Sequence, residues 1–282
     1  GHKRLAIEAG EHPTMNPIEY ILESIETIYS VKHKNGSIRR VNVNIAATTV
    51  ENYKKLKDAG INRVSLGIQA FYNYHLRLMN RRHKVLGSLK AIEALKNAGF
   101  DNISIDLIYG LPELTLHEWE KTLRKAVNLG IQHISAYHLT YEPNTVFDTL
   151  RNKGIMIPID DELSYQQFEM MSKYLESNNF VHYEISNFGH LGRFSQHNVN
   201  YWKGASYLGL GPSAHSFDGA SRYWNARDIG RYVRIDKKHD DINEREDLSA
   251  KEQFNEYIMT GLRTYWGIDL SVIENKYSKD LA

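Results

Sequence analysis

The sequence predicts an α/β fold on a mainly parallel sheet. A short pattern recurs as GINRVS from Gly60, GFDNIS from Gly99 and GIQHIS from Gly130. Each glycine closes a helix-like stretch, where a residue with positive φ is wanted, and opens a strand-like one. Helical and strand periods therefore alternate along the chain, the order that builds parallel sheets.

The elements follow in order. RLAIEAG and VNVNIAA read as the first two strands. TTVENYKKLKDAG reads as a helix, with Thr48 and Glu51 spaced as a capping box. RVSLGIQ is a strand, and KVLGSLKAIEALKNAG a helix with Leu89, Ile92 and Leu95 on one face. NISIDLIYG is the next strand. LTLHEWEKTLRKAVNLG follows as a helix capped by Thr115 and Glu118, with Trp119, Leu123 and Val127 spaced along it. HISAYHLTY is another strand. A weaker copy, YLESNNFVHYEIS, has Asn179 where the others have Gly and Glu184 where they have Ser. About six strands in βα order fit either a barrel-like sheet or an open doubly wound one.

Polar residues on the strands favour the barrel. Period-2 alternation puts Ser65, Gly67 and Gln69 on one face, then Asn102, Ser104 and Asp106, then His133, Ser135 and Tyr137. A sheet covered by helices on both faces would bury these groups unfavourably, whereas a barrel interior holding a polar ligand would use them. A satisfied structural network is the alternative reading of the same residues.

Composition narrows the function. Lys plus Arg number 35 and Asp plus Glu 34, so charge gives no argument for a nucleic acid or an anionic membrane, and a small-molecule ligand is expected. No apolar run reaches the roughly 20 residues of a membrane span, and the N-terminus lacks a signal-like apolar region; the chain reads as cytoplasmic. The chain has no cysteine, which excludes disulfides, thiolate zinc sites and an all-thiolate Fe–S cluster held by its own residues.

In order, VSLGIQAF, RLMNRRH, NISIDLIYGLP, HISAYHLTYEPNT, HYEISNF, HNVNYW and YLGLGPSAHSF resemble the oxygen-independent coproporphyrinogen III oxidase-like radical S-adenosylmethionine (SAM) family. The resemblance is closest to its HemW haem chaperone branch. It is strong from Asn42 to Phe217, and YIMTGLRTYWGIDL resembles the branch's C-terminal region. It implies an incomplete (βα)6 TIM-like barrel carrying a [4Fe–4S] cluster and SAM, with a small C-terminal helical region. It also implies SAM contacts at Gln69, Arg81 and Asp106. Carboxylate, guanidinium and amide suit the ribose and the methionine end of SAM, although Arg81 in the polar NRRH also reads as a surface residue. His197 in HNVNYW corresponds to the histidine associated with haem, with Tyr201 and Trp202 offering flat apolar surface; His215 in PSAHSF is a rival ligand.

The departures lie in the first 45 residues. The family's CxxxCxxC motif is absent. Its GGGTP motif is degraded to AGEHP, keeping Gly10 and Pro13, and its ExNP motif aligns with NVNI, so that Asn42 replaces the acidic residue and Ile45 the proline, while Asn44 is retained. Loss of that charge weakens the expected hold on the SAM ammonium. Without thiolates the chain is expected to be inactive in radical chemistry. Their concentration near the start leads us to expect a truncated or incompletely represented N-terminus, rather than natural loss of the cluster; the C-terminal region is expected to be incomplete as well.

The expected organisation is a barrel with its closing segment over 1–217, then a linker and a partial α-rich domain over 218–282. RIDKKHDDINEREDLSAKEQ is expected to be a solvated, charge-rich linker. The functional expectation is haem binding and delivery to acceptor proteins, in a parent form carrying cluster and SAM. Coproporphyrinogen decarboxylation and a cluster-free binding module are the rivals.

Overall fold

The computed structural model describes residues 4–8, 15–34, 36–44, 47–234 and 243–277. The chain divides into two units, 1–194 and 195–282.

The first unit alternates as the sequence predicts. β1 (Arg4–Glu8) pairs in parallel with β4 (Arg40–Asn44); between them lie α1 (Ile18–Ser30) and a short antiparallel pair, β2 (Lys32–His33) with β3 (Gly36–Ser37). After α2 (Val50–Asp58), β5 (Val64–Gln69) lies alongside β4. β5, β6 (Ile103–Tyr109) and β7 (His133–His138) form a parallel sheet, connected through α3 (Asn73–Leu78), α4 (Val85–Asn97) and α5 (Leu116–Asn128). α6 (Val146–Asn152) and α7 (Asp161–Ser177) lead to β8 (Val181–Glu184) and β9 (Asn187–Gly189).

The sheet order β5-β6-β7-β9-β8 modifies the expected run of strands. β8, from the weaker copy, runs in the direction of β7 but does not adjoin it, because β9 pairs antiparallel with both. The Ala136 amide donates to the Ser186 carbonyl at 2.7 Å, extending that seam. No strand among the described residues closes the sheet on itself, so the barrel is incomplete.

One face of each strand packs on helices. Val64, Leu66 and Ile68 of β5, Ile105 and Leu107 of β6 and Ile134 of β7 are buried with Tyr53 and Leu56 of α2, Ile92 and Leu95 of α4, and Trp119 and Leu123 of α5. Each such side chain contributes roughly 1.5–3 kcal/mol on burial. The strands are thus apolar toward the helices and polar on the other face, the arrangement that separates a barrel from a doubly wound sheet.

The repeated turns are backbone requirements. Gly60, Gly99 and Gly130 have φ of +91°, +82° and +57°, and Asn179 of the weaker copy has φ +67°, a conformation asparagine tolerates better than most side chains. The capping box of α5 is present at Thr115 and Glu118. α2 differs by one residue: its N-cap is Thr49, whose hydroxyl accepts from the Asn52 amide at 3.2 Å, while Thr48 accepts from the Asn52 side chain at 2.8 Å.

The second unit contains α8 (Gln196–Trp202), an antiparallel sheet of β10 (His215–Phe217), β11 (Ser221–Asn225) and β12 (Asn243–Asp247), and α9 (Ile229–Val233), α10 (Ala250–Gly261) and α11 (Leu270–Lys276). Residues 195–217 therefore belong here and not to the barrel unit. The backbones of Tyr207 and Phe217 bridge one another at 2.8 and 2.9 Å, tying the segment after α8 into this unit. The charge-rich stretch is also not simply a linker: 243–247 forms β12 against β11, and Ser249 and Glu252 cap α10 with a full capping box.

Candidate functional site

In the first unit the polar face gathers around Asp106. Ser65 on β5 donates to its carboxylate at 3.3 Å, and Ser135 on β7 also hydrogen-bonds it. Burial pushes the Asp106 carboxyl above its ordinary value, while these two hydroxyls and the Arg63 guanidinium pull the other way. Beside it, burial and then the charge of Asp106 raise the Tyr137 phenol, against a hydrogen bond from Ser135. Arg63 is held by the Asn102 side chain at 3.2 Å and the Arg193 carbonyl at 2.6 Å.

Deeper along the same face, His133 is 1% exposed and sits between two hydroxyls. Ser104 Oγ meets its Nδ1 at 2.7 Å and Tyr183 Oη meets its Nε2 at 2.7 Å. A neutral imidazole satisfies both, one nitrogen donating and the other accepting. Burial, then the charge of Arg63, hold its pKa well below 6.5. Part of the polar face is therefore the satisfied structural network that the sequence also allowed.

Gln69 ends β5 at a break in the ladder. Gln69 stands opposite Leu107 although Leu66 stands opposite Ile105, so β5 carries one extra residue there, and Gln69 has φ +67°. Such a conformation in a non-glycine residue is strained by about 1–2 kcal/mol. Its amide folds back over Gly67: a Cβ on that glycine would lie 2.7 Å from Gln69 Nε2. Gln69 thus reaches the same face as Ser65, though by a bulge and not by simple alternation.

Arg81 is exposed in the turn after α3, where its amide donates to the Leu76 carbonyl at 2.8 Å. His83 Nε2, two residues on, lies 3.2 Å from the Ile68 carbonyl and ties this turn to the end of β5. Among the described residues no hydrogen bond joins Gln69, Arg81 and Asp106 to one another. Asn42 lies on β4, opposite Ala6 of β1. Gly10, Pro13 and Ile45 lie outside the described residues.

In the second unit, α8 carries the HNVNYW motif. His197 is half-buried and meets the Tyr201 ring edge-on at 4.8 Å; Tyr201 meets Tyr207 edge-on at 4.7 Å, and Tyr207 lies 6.2 Å from Phe217. His215 is exposed and stacks on Trp224 at 5.7 Å. A cavity of about 580 Å³ opens beside this ladder, within the range of small-molecule pockets. Tyr201, Trp202, Phe217, Tyr257, Trp266 and Tyr277 line it; His197 and His215 do not.

The Radical SAM superfamily model matches residues 2–126. The heme chaperone HemW of Bacillus subtilis is 32% identical over 275 residues, covering 96% of this chain and 73% of that protein. The chain belongs to the HemW family of radical SAM proteins. A second HemW, from Lactococcus lactis, is 36% identical over 227 residues, 80% of this chain and 60% of its own length. The chain thus spans 60% of the Lactococcus HemW. The coproporphyrinogen III oxidase HemN of Escherichia coli, at 19% identity, shares the fold with a TM-score of 0.76 over 98% of this chain and 66% of its own.

Family membership sharpens one disagreement. Radical SAM clusters are held by cysteine thiolates, and these 282 residues contain no cysteine. Among the described residues no group of three or more His, Asp or Glu is placed to hold a metal instead. The residues present do not fit a [4Fe–4S] cluster.

Sequence reasoning missed Arg63 and Tyr183 in the first unit and most of the cavity wall in the second. Arg63 holds the place in GINRVS that Asn102 and His133 hold in the other two copies, two residues before Ser65, so the repeat itself carried the signal. The wall is drawn from Tyr201 to Tyr277, too far apart for any local period to connect.

Proposed function

We propose that this chain is a haem-binding member of the HemW family that delivers haem to acceptor proteins, with His197 as the haem-iron ligand. The observation that carries the reading is α8. Its single short helix places His197 one turn before Tyr201, edge-on at 4.8 Å, so that an imidazole and an aromatic surface stand together on one element. Imidazole is a common axial ligand of haem iron, and aromatic rings supply the flat apolar surface a porphyrin needs. In this reading the protein works in the cytoplasm; among the described residues no helix is long and apolar enough to cross a membrane.

The first unit retains groups that suit SAM. The Gln69 amide above the bare Gly67 backbone, the Asp106 carboxylate supported by Ser65 and Ser135, and the Arg81 guanidinium offer donors, acceptors and charge for the ribose and methionine ends. These residues would bind and orient SAM; Asn42 supplies no charge for its ammonium. With no thiolate in the chain, no radical step runs through its own residues.

The test is a haemin titration followed at the Soret band with the wild type, His197→Ala and His215→Ala. The expected result is at least about a tenfold loss of affinity for His197→Ala and little change for His215→Ala, since one lost ligand bond of about 1.4 kcal/mol already gives that factor. Equal binding by wild type and His197→Ala would remove His197 from the proposal.

A further inference from the structure

The cavity of the second unit has a composition that selects its occupant. Tyr201, Trp202, Phe217, Tyr257, Trp266 and Tyr277 line it. The cations at its rim are not equivalent. Arg222 is committed to Glu256 through both terminal guanidinium nitrogens, Nη2 at 2.7 Å, whereas Lys203 and Lys276 form no ion pair among the described residues. Each ammonium instead lies over a ring of the wall, Lys203 at 5.1 Å from Trp266 and Lys276 at 5.2 Å from Tyr277. Both lysines are exposed, on flexible stems that swing without disturbing the core. Asp269, the remaining carboxylate of the lining, is engaged as the N-cap of α11.

An aromatic wall takes a flat conjugated face, and two mobile ammonium groups take carboxylates at its edge. A polyphosphate would need a denser set of free cations. A neutral sugar would give the two ammonium groups no counter-charge. We infer that the cavity seats a tetrapyrrole by its ring face, with the ring's carboxylates on Lys203 and Lys276. His197 lies outside the lining, against Tyr201 of the wall, so the seat for the ring and the proposed iron ligand are separable features. The inference rests on the haem-binding reading but uses different residues.

The experiment uses metal-free protoporphyrin IX, which has no iron to ligate, alongside haemin. Binding is read by quenching of tryptophan fluorescence, for Trp202 and Trp266 are two of the four tryptophans and both line the cavity. The wild type, the double variant Lys203→Glu/Lys276→Glu and the cavity-filling Thr260→Trp are compared, with circular dichroism confirming that each is folded. The expected result is binding of protoporphyrin IX by the wild type and at least a tenfold loss in both variants. Protoporphyrin IX dimethyl ester, which lacks free carboxylates, is expected to bind the wild type and the lysine variant alike. The surface lysine variant keeps the test valid if Thr260→Trp does not fold.

Haemin affinity that falls in His197→Ala but not in the cavity variants overturns the cavity and leaves the His197 reading standing. Protoporphyrin binding that depends on the cavity, with haemin affinity unchanged in His197→Ala, supports the cavity and removes His197. A wild type that binds neither tetrapyrrole overturns both.

Discussion

His133 shows how the inner face of the sheet stays polar without carrying charge. Its imidazole bridges Ser104 and Tyr183 at 2.7 Å each and is held neutral by burial. The sign follows from linkage. A histidine whose folded pKa lies below 6.5 imposes no penalty above that value and opposes folding as pH falls through it, because the unfolded chain takes the proton first. His75 and His182 are lowered by burial in the same sense. Asp106, raised by burial, acts oppositely: its contribution is full below 3.8 and lost as pH rises through its folded value. Comparing His133→Leu with the wild type cancels Asp106. The expected outcome is a variant less stable at neutral pH by about 1–3 kcal/mol, since two buried hydroxyls lose their shared partner. Its stability should fall less steeply between about pH 7 and 5, by up to about 1.4 kcal/mol per unit. Urea midpoints across that range measure both. At this scale period-2 alternation made Ser65, Ser104, Asp106, His133 and Ser135 legible. Gln69 reaches the face by a bulge, which depends on how β5 pairs with β6.

At the scale of elements, the two helix starts differ in how openly the chain writes them. Thr115 and Glu118 form the box that their spacing announces. In Thr48-Thr49 either hydroxyl could cap, and the role falls to Thr49, whose extended backbone directly precedes the first helical residue, Val50. Thr49→Ala is therefore expected to lower stability by about 1 kcal/mol, the usual loss for an N-cap. Thr48→Ala should lower it by less, because it removes only the bond from the Asn52 side chain. Chemical denaturation of the two variants distinguishes them, and equal losses would contradict the assignment. β9 is a harder case. Its residues follow β8 directly, and the local sequence reads as a continuing strand and turn; the free edge of β7 accepts it, placing an antiparallel strand between β7 and β8.

For the whole molecule, membership of the HemW family meets a chain without the family's thiolates. Anaerobic reconstitution with iron and sulfide is expected to leave this polypeptide without Fe–S charge-transfer absorption, as ultraviolet-visible spectra would show. A stable cluster spectrum would require ligands other than cysteine. Composition and local pattern by themselves determined the βα alternation, the turns at Gly60, Gly99 and Gly130, the polar strand faces, the lack of thiolates and the family. Each is written in neighbouring residues or in a simple count. Only the tertiary structure decided the bulge at Gln69, the place of β9, the membership of 195–217 in the second unit, and the meeting of Tyr201, Tyr257 and Tyr277 around one cavity. These depend on pairings between residues distant along the chain, settled by which edges and faces remain to be covered once the local elements have formed.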